Sequence, residues 1–286
     1  MLWALYSLLS GFFLATSDAL TKKAQLNDPY IISWSRSFFA LPVALAVLFF
    51  SNTPKIGTLF WPTMIVSIPL EIVLVVIYIK AIRLSPLSLT LPFFNLTPVF
   101  LILTSFLILG EIPSIIGIFG ILLAVIGAYI LNISLSKYGL LEPFKEIFRE
   151  KGVVLMIVAA FVASITANLV KVAVLNSSTT FYIVFYLLAI TILMSIIYFR
   201  RIKSNLKAIK SNIAMLLLTG LASGISLLFH ALAVVLVIVP YMISIKRTSS
   251  IFGVLYGHFI FKEKNIAERL VGAAIMLSGA VLILLA

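Results

Sequence analysis

The sequence predicts an all-α polytopic membrane protein with ten transmembrane helices, arranged as two inverted repeats of five helices each. Three observations lead to this prediction: a very apolar composition, ten apolar windows of membrane-spanning length, and an internal repeat. Hydrophobic residues make up 63% of the 286 residues and charged residues only 10%, against roughly 45–50% and about 25% in soluble domains. The long apolar runs also differ from barrel strands, in which apolar and polar residues alternate.

Ten windows reach the roughly 20 apolar residues that a membrane-spanning helix needs. We number them span 1 to span 10. They cover residues 2–21, 31–50, 60–79, 87–109, 114–134, 153–173, 180–199, 212–233, 238–261 and 267–285. The first window has no basic leader and no small-residue cleavage site, so we expect a retained helix rather than a signal peptide.

The longest polar stretch lies between spans 5 and 6 and divides the chain into two halves. It contains the amphipathic segment EPFKEIFREK, which we expect to form a helix on the membrane surface. The predicted organisation is a first repeat over residues 1–136, a linker over 137–151 and a second repeat over 152–286.

The two halves are related in sequence. A shift of 152 residues superposes four residues of the first half on identical residues of the second: Ala81 on Ala233, Glu111 on Glu263, Gly120 on Gly272 and Gly127 on Gly279. A shift of 149 residues superposes Leu20, Lys22 and Ala24 on Leu169, Lys171 and Ala173. Because each half has an odd number of spans, the two copies enter the membrane in opposite directions. Inverted repeats are typical of secondary transporters, whose substrate site lies near the midplane between the halves.

The repeated residues also have local structural explanations. Glu111 lies at the start of span 5, where a carboxylate suits the positive end of a helix dipole. Gly120 and Gly127 lie two turns apart on one helix face, and Gly272 and Gly279 have the same spacing. Small residues in this pattern predict close helix contacts in lipid.

Together these motifs resemble the EamA repeat of the drug/metabolite transporter superfamily. The first half carries A-I-R-L-S-P (81–86), Pro98, L-G-E (109–111) and the helix from Gly120 to Gly127, with Lys22 and Arg36 also fitting. The second half carries Ala233, F-K-E (261–263), Gly272 and Gly279, with Ser250 in place of the proline. The resemblance covers essentially the whole chain and implies a ten-helix transporter. Members of the superfamily carry amino acids, sugars, drugs, nucleotide sugars and phosphorylated metabolites, so the resemblance leaves the substrate open.

The basic residues are distributed unequally between the two sides of the predicted bundle. Sixteen Lys and Arg residues follow odd-numbered spans, whereas Lys55 alone follows an even-numbered one. The positive-inside rule places the basic side in the cytoplasm and both termini outside, although members of the superfamily are usually drawn with both termini inside. We expect a multi-pass protein of the cell (plasma) membrane.

Composition and motifs limit the other functional classes. The net charge of +12 is explained by these loops, so we expect no nucleic-acid partner. The chain has no Cys, and its two His residues lack ligand spacing, so we expect no metal and no cofactor. It also lacks a nucleophile–base constellation, a Walker loop and a Gly-rich dinucleotide turn, so an enzyme is not expected. The expected partners are a small-molecule substrate and the lipid bilayer.

Lys246 and Arg247, about eight residues into span 9, indicate a substrate site. The shift of 152 residues places them on Phe94 and Asn95, so the repeat supplies no structural reason for two cations. Cations at bilayer depth are costly and mark functional sites. An Arg fork and a Lys point charge together suit an anion. In the alternative interpretation Glu71, the only acidic residue near the middle of a span, neutralises one of them.

A Lys–Arg pair on the ninth helix is similar to the pair that holds substrate phosphate in plastid phosphate translocators, a branch of the same superfamily. The likeness implies a possible phosphate substrate. It is carried by Lys246 and Arg247 and the predicted fold alone.

Other polar residues within the spans complete the predicted site. Asn95, Tyr78 and His230 are candidates to line the cavity and steady the substrate. Glu71 is either a proton-coupling carboxylate or a fixed counter-ion to the cations.

Three residues are candidates for gates at the span ends. Asp18 and Lys22 are four residues apart on one helix face, a spacing that favours an ion pair. Lys22 and Lys171 occupy equivalent positions in the two repeats, and either can reach the membrane interface or form a gate.

Three functions agree with this pattern. The first is a secondary transporter of a small organic anion, phosphorylated or carboxylated, that works by alternating access, with exchange of one anion for another left open. The second is a proton-coupled exporter of amino acids or amphipathic metabolites that uses Glu71. The third is a flippase for lipid headgroups, with the same cations receiving the headgroup.

Overall fold

A computed structural model describes residues 1–24, 26, 28–49, 54–84, 93–133, 150–260, 262 and 266–286. Within these ranges the chain forms helices and connecting turns, and no strand. The all-α prediction is therefore confirmed. Most of the predicted linker, Phe261 and Glu263 of the second half, and Ser85 and Pro86 of the first motif lie outside the described residues.

Every predicted window contains helix. The helices are Leu2–Lys23 (span 1), Pro29–Phe38 and Leu41–Leu48 (span 2), Phe60–Leu84 (span 3), Thr97–Leu109 (span 4), Ile115–Ile133 (span 5), Lys151–Leu175 (span 6), Thr179–Ile197 (span 7), Ile213–Val234 (span 8), Val239–Lys246 and Ser249–Phe259 (span 9), and Ile266–Leu285 (span 10). Two short helices, Phe199–Ser204 and Leu206–Ser211, connect spans 7 and 8.

Five helical stretches are long and apolar enough to cross a bilayer by length and composition. They are Pro29–Leu48, Phe60–Tyr78, Lys151–Leu175, Thr179–Ile197 and Ile213–Val234. Three shorter apolar helices accompany them: Thr97–Leu109, Ile115–Leu131 and Arg269–Leu285. The bundle is thus that of a polytopic membrane protein.

Two of the spans are interrupted at equivalent positions, which the hydropathy windows did not predict. Span 4 turns at Asn95–Leu96 and span 9 turns at Arg247–Thr248, a separation of 152 residues in sequence. In span 4 a new helix begins at Thr97 with Pro98 in its first turn, the position where the missing N–H of proline costs nothing. Backbone hydrogen bonds continue through both turns as shorter bonds, from the N–H of Leu96 to the carbonyl of Phe93 at 3.2 Å and from the N–H of Thr248 to that of Ile245 at 3.0 Å.

Contacts between span ends show that the two repeats run in opposite directions. At one end of the bundle, which we call the basic end, Arg201 after span 7 pairs with Asp28 before span 2 at 3.3 Å. At the other end, the neutral end, the N–H of Gly57 before span 3 donates to the carbonyl of Asn176 after span 6 at 2.8 Å. Span 1 therefore finishes at the basic end and its repeat equivalent, span 6, at the neutral end.

The repeated glycines form close helix contacts, as predicted, and the structure shows that they do so by bringing spans 5 and 10 together. A Cβ added at Gly120 would lie 2.9 Å from the carbonyl oxygen of Gly279, and one added at Gly127 would lie 2.7 Å from that of Gly272. Both distances are too short for a carbon–oxygen contact, so these backbones approach each other only because side chains are absent.

Serine side chains join spans 1 and 8. Ser10 donates to the carbonyl of Ser226 at 2.9 Å, and Ser226 donates back to the carbonyl of Ser10 at 2.8 Å. One turn further on, the hydroxyls of Ser17 and Ser223 lie 2.6 Å apart. Hydrogen bonds of this kind hold helices together in a solvent that offers the hydroxyls no alternative partner.

Candidate substrate-binding site

The side chain of Arg247, at the turn of span 9, contacts residues on both sides of the turn in span 4. Its Nη2 donates to Oγ1 of Thr97 at 2.9 Å, and its Cζ lies 4.5 Å from the centre of the Phe94 ring. Thr97 starts the second part of span 4 and is only 1% exposed. The guanidinium of span 9 is therefore fixed against the interruption of span 4.

Lys246 contacts span 8. Its Nζ lies 2.9 Å from Nδ1 of His230, a residue that is 7% exposed. An ammonium group only donates, so Nδ1 is the acceptor and the ring proton is on Nε2. Nε2 has no hydrogen-bond partner among the described residues.

The site thus contains two buried donors without acceptors, Nε2 of His230 and Nε of Arg247. In addition, within the part of the chain that the structure describes, Lys246 and Arg247 form no ion pair with a carboxylate. A buried donor without a partner costs about 1–3 kcal/mol, and more when it is charged. An anionic ligand would accept hydrogen bonds from these two donors.

Glu71 lies on the other side of this cluster, in span 3. Its carboxylate interacts with the side chain of Thr166 in span 6 and, more weakly, with the charge of Lys246. It also lies near Tyr182 and Tyr186, whose rings stack at 5.6 Å. Within the described residues Glu71 forms no ion pair with Lys246, and its role as a counter-ion or as a proton-coupling carboxylate stays a prediction.

Tyr78 and Asn95 are brought to the same region. The Tyr78 ring packs edge-on against Phe94 at 5.3 Å and lies within electrostatic range of Arg247 and Asp18. Asn95 occupies the turn of span 4 and is 6% exposed. The five residues predicted to bind substrate, Lys246, Arg247, Asn95, Tyr78 and His230, thus surround one region, although their role in binding stays a prediction.

A nearly buried ion pair lies at the neutral end of the bundle. Nζ of Lys171 lies 2.5 Å from Oε1 of Glu111 and 2.7 Å from the carbonyl oxygen of Val237. The second oxygen of Glu111 accepts the N–H of Val239 at 2.8 Å. Both charged side chains are nearly buried, with exposures of 10% and 12%.

The contacts of Glu111 correct its sequence interpretation. We expected this carboxylate to serve the N-terminus of span 5, which follows it directly. The structure places it at the N-terminus of span 9, since the first N–H of that span is its partner. The N-terminus of span 5 is served by Tyr241, whose hydroxyl accepts the N–H of Ser114 at 2.9 Å.

Asp18 pairs with a different cation from the one its spacing suggested. Its carboxylate lies 2.6 Å from Nη2 of Arg36, which also donates to Thr21 at 2.9 Å. The helix spacing favoured Lys22, but Arg36 of span 2 approaches from outside the helix. This pair is more exposed than the one at the neutral end, with 59% for Asp18 and 28% for Arg36.

Three residues of the site were missed in the sequence. Phe94 and Thr97 contact Arg247, and Pro98, which marks a helix start, was the available signal for Thr97. Gly11 of span 1 lies against the break in span 9, where an added Cβ would be 2.7 Å from the carbonyl oxygen of Lys246. Nothing in the sequence around Gly11 indicates that contact.

Comparison with known proteins agrees with the fold. A model of the EamA-like transporter family matches residues 1–133 and 150–285. A solved crystal structure of a protein without a stated function superposes with a TM-score of 0.77 at 14% identity, over 99% of this chain and 96% of that chain. No curated protein matches the sequence. The likeness of Lys246 and Arg247 to plastid phosphate translocators gains no support from these matches.

Proposed function

Because the chain belongs to the EamA-like transporter family, we propose that it is a secondary transporter of a small organic anion bound by Arg247 and Lys246. The substrate class is a phosphorylated or carboxylated metabolite. The observation that carries the proposal is the pair of buried donors, Nε of Arg247 and Nε2 of His230. Within the described part of the chain they lack an acceptor, and the two cations beside them lack an ion-pair partner.

The mechanism follows from the inverted repeat and the two ion pairs. Each half rocks about a site between them, so that the site opens to one end at a time. The Lys171–Glu111 pair closes the neutral end, and it breaks when that end opens. Returning with an empty site would leave the cations of Lys246 and Arg247 unneutralised, which favours exchange of one anion for another.

The proposal is tested by ligand-dependent unfolding and transport. Purified protein is heated in detergent with a panel of phosphorylated, carboxylated, zwitterionic and aromatic amine metabolites, and the best ligands are then followed into liposomes. A ligand at about 100 times its Kd stabilises the folded state by about 2.7 kcal/mol. We expect anions to raise the unfolding temperature of the parent protein.

The matched variants are Lys246→Ala/Arg247→Ala and Lys207→Ala/Lys210→Ala. Both remove two positive charges, but Lys207 and Lys210 are exposed on the short helix Leu206–Ser211. We expect the first variant to lose the response to anions and the second to keep it. The proposal is wrong if anions stabilise none of the proteins while zwitterions stabilise all three.

The position of Glu71 supports a second candidate, a proton-coupled exporter of amino acids or amphipathic metabolites. Among the described residues its carboxylate forms no ion pair, so protonation of Glu71 would not leave a directly paired cation without its partner. In liposomes with a pH gradient, coupling through Glu71 predicts that substrate moves faster toward the more acidic side, because protons move in the opposite direction. Glu71→Gln would abolish that dependence, whereas an electroneutral exchanger would respond little to the gradient.

We also propose that the protein resides in the plasma membrane with both termini outside, following the excess of basic residues at the opposite end. The natural chain has no Cys, so a single Cys placed at either end reports sidedness without background. We expect Ala286→Cys to react with an impermeant maleimide in intact cells and Lys207→Cys to react only after permeabilisation. The reverse pattern would place the termini inside.

A further inference from the structure

A groove on the outer surface of the bundle runs between spans 2 and 7, away from the substrate site. It has a volume of about 680 Å³ and is lined by Phe38, Leu41, Thr191, Ile192, Ser195, Ile196 and Phe199. Small-ligand pockets typically have about 300–1,000 Å³. Two of its apolar walls are strongly exposed, Ile192 at 58% and Ile196 at 68%, so the groove faces the lipid.

The groove ends at a cluster of cations. Phe199, at its end, is the first residue of the short helix Phe199–Ser204. Arg200 follows it directly, and Lys203 lies one turn later on the same helix face as Phe199. Both cations are exposed, and neither forms an ion pair with a described residue, in contrast to Arg201, which pairs with Asp28.

The floor of the groove carries one unsatisfied polar atom. Thr191 is 5% exposed, and its Oγ1 has no hydrogen-bond partner in the described part of the chain. Its neighbour Ser195 is satisfied, since it accepts the indole N–H of Trp34 at 2.8 Å and donates to the carbonyl of Thr191 at 2.6 Å.

From this arrangement we propose that the groove and the adjacent cations bind an anionic phospholipid. One acyl chain occupies the groove between spans 2 and 7, and the headgroup phosphate contacts Arg200 and Lys203. We infer a lipid because the groove opens to the hydrocarbon of the bilayer. We infer an anionic lipid because Arg200 and Lys203, at the end of the groove, carry positive charges that no described carboxylate pairs with. Basic clusters beside a membrane helix attract anionic headgroups.

The experiment compares lipids of equal chain length on delipidated protein in detergent. Phosphatidylglycerol and phosphatidylcholine are titrated, with thermal unfolding as one measurement and native mass spectrometry of bound lipid as the other. Two variant pairs are compared with the parent: Arg200→Gln/Lys203→Gln against Lys207→Gln/Lys210→Gln, and Ile192→Trp against Leu107→Trp. Leu107 is 68% exposed on span 4, far from the groove in sequence.

We expect the parent to prefer phosphatidylglycerol. Arg200→Gln/Lys203→Gln should lower the affinity for phosphatidylglycerol about thirtyfold, since each cation near an anionic surface contributes a factor of about five to the binding constant. Ile192→Trp fills the groove and should remove bound lipid, while the two control variants keep it. Equal binding of both lipids, equal losses in both Gln variants, or a full response to glycerol phosphate without acyl chains would each overturn the proposal.

Discussion

The guanidinium of Arg247 lies 4.5 Å from the centre of the Phe94 ring. The two residues come from the interruptions of spans 9 and 4, which the internal repeat makes equivalent. One copy of the repeat thus carries cations at its break, and the other carries an aromatic ring and a hydroxyl that hold one of them. The asymmetry between the two copies is what makes the region a candidate site.

Replacing Phe94 should therefore weaken both the bundle and the orientation of Arg247. A cation–π contact contributes about 2 kcal/mol when it is desolvated, and Leu keeps most of the apolar volume. We expect Phe94→Leu to lower the unfolding temperature and to raise the KM for the transported anion. Phe106→Leu is the control, because Phe106 lies on the same span and is 52% exposed to lipid. Equal effects of both substitutions would contradict this role of Phe94.

The hydrogen bond between Lys246 and His230 predicts a difference between two substitutions. Gln retains an acceptor for the ammonium group, whereas Leu of similar size does not. We expect His230→Leu to reduce transport strongly and His230→Gln to preserve a large part of it, measured as uptake into liposomes. If both variants lose transport equally while staying folded, the acceptor at this position is not what matters.

Breaking the Lys171–Glu111 pair should open the neutral end. A single substitution leaves one nearly buried charge without its partner, which costs about 3–5 kcal/mol. In the cysteine-free chain, Asn176→Cys reports access from that end, and we expect Glu111→Gln to speed its modification by a maleimide. The double variant Glu111→Gln/Lys171→Met removes both charges, so its stability should exceed that of either single variant. Additive losses would contradict a coupled pair.

The contact between spans 5 and 10 predicts opposite effects at two glycines. A Cβ at Gly127 would collide with the backbone nitrogen of Met276, whereas one at Gly253 meets nothing within 4 Å. Overpacking of this kind costs about 1–3 kcal/mol, so Gly127→Ala should lower the unfolding temperature clearly. Gly253→Ala should leave it unchanged or raise it, because Ala favours a helix over Gly. A neutral Gly127→Ala would show that the two helices separate without cost.

Much of the fold could be predicted because it depends on local properties of the chain. Apolar runs of about 20 residues identify spans whatever their neighbours are. An odd number of spans per repeat determines that the copies are inverted. The glycine spacing predicted close helix contacts for spans 5 and 10, but not that these two spans meet each other. The domain boundaries at 136 and 152 stay a prediction, as does the amphipathic linker between them.

The charged residues of the candidate site could also be selected from the sequence, because charges stand out in apolar runs, whereas Thr97 could not. The partners of these charged residues could not be selected in this way. Spacing along one helix favoured Lys22 as the partner of Asp18, but the structure pairs Asp18 with Arg36. Position in the sequence placed Glu111 at the N-terminus of span 5, but its carboxylate binds the N-terminus of span 9. The interruption of span 9 carries no proline, so no sequence signal marked it.

By itself, then, the sequence determined the class of protein, the number of spans, the inverted repeat and the charged residues that lie within the apolar spans. Only the tertiary structure decided which of these residues meet. Arg247 and Thr97 are 150 residues apart, and Lys171 and Glu111 are 60 apart. Such contacts depend on how the helices pack and where they break. The packing depends on small residues and backbone groups that contact each other between helices. The spacing of residues along one helix does not show which helices will pair.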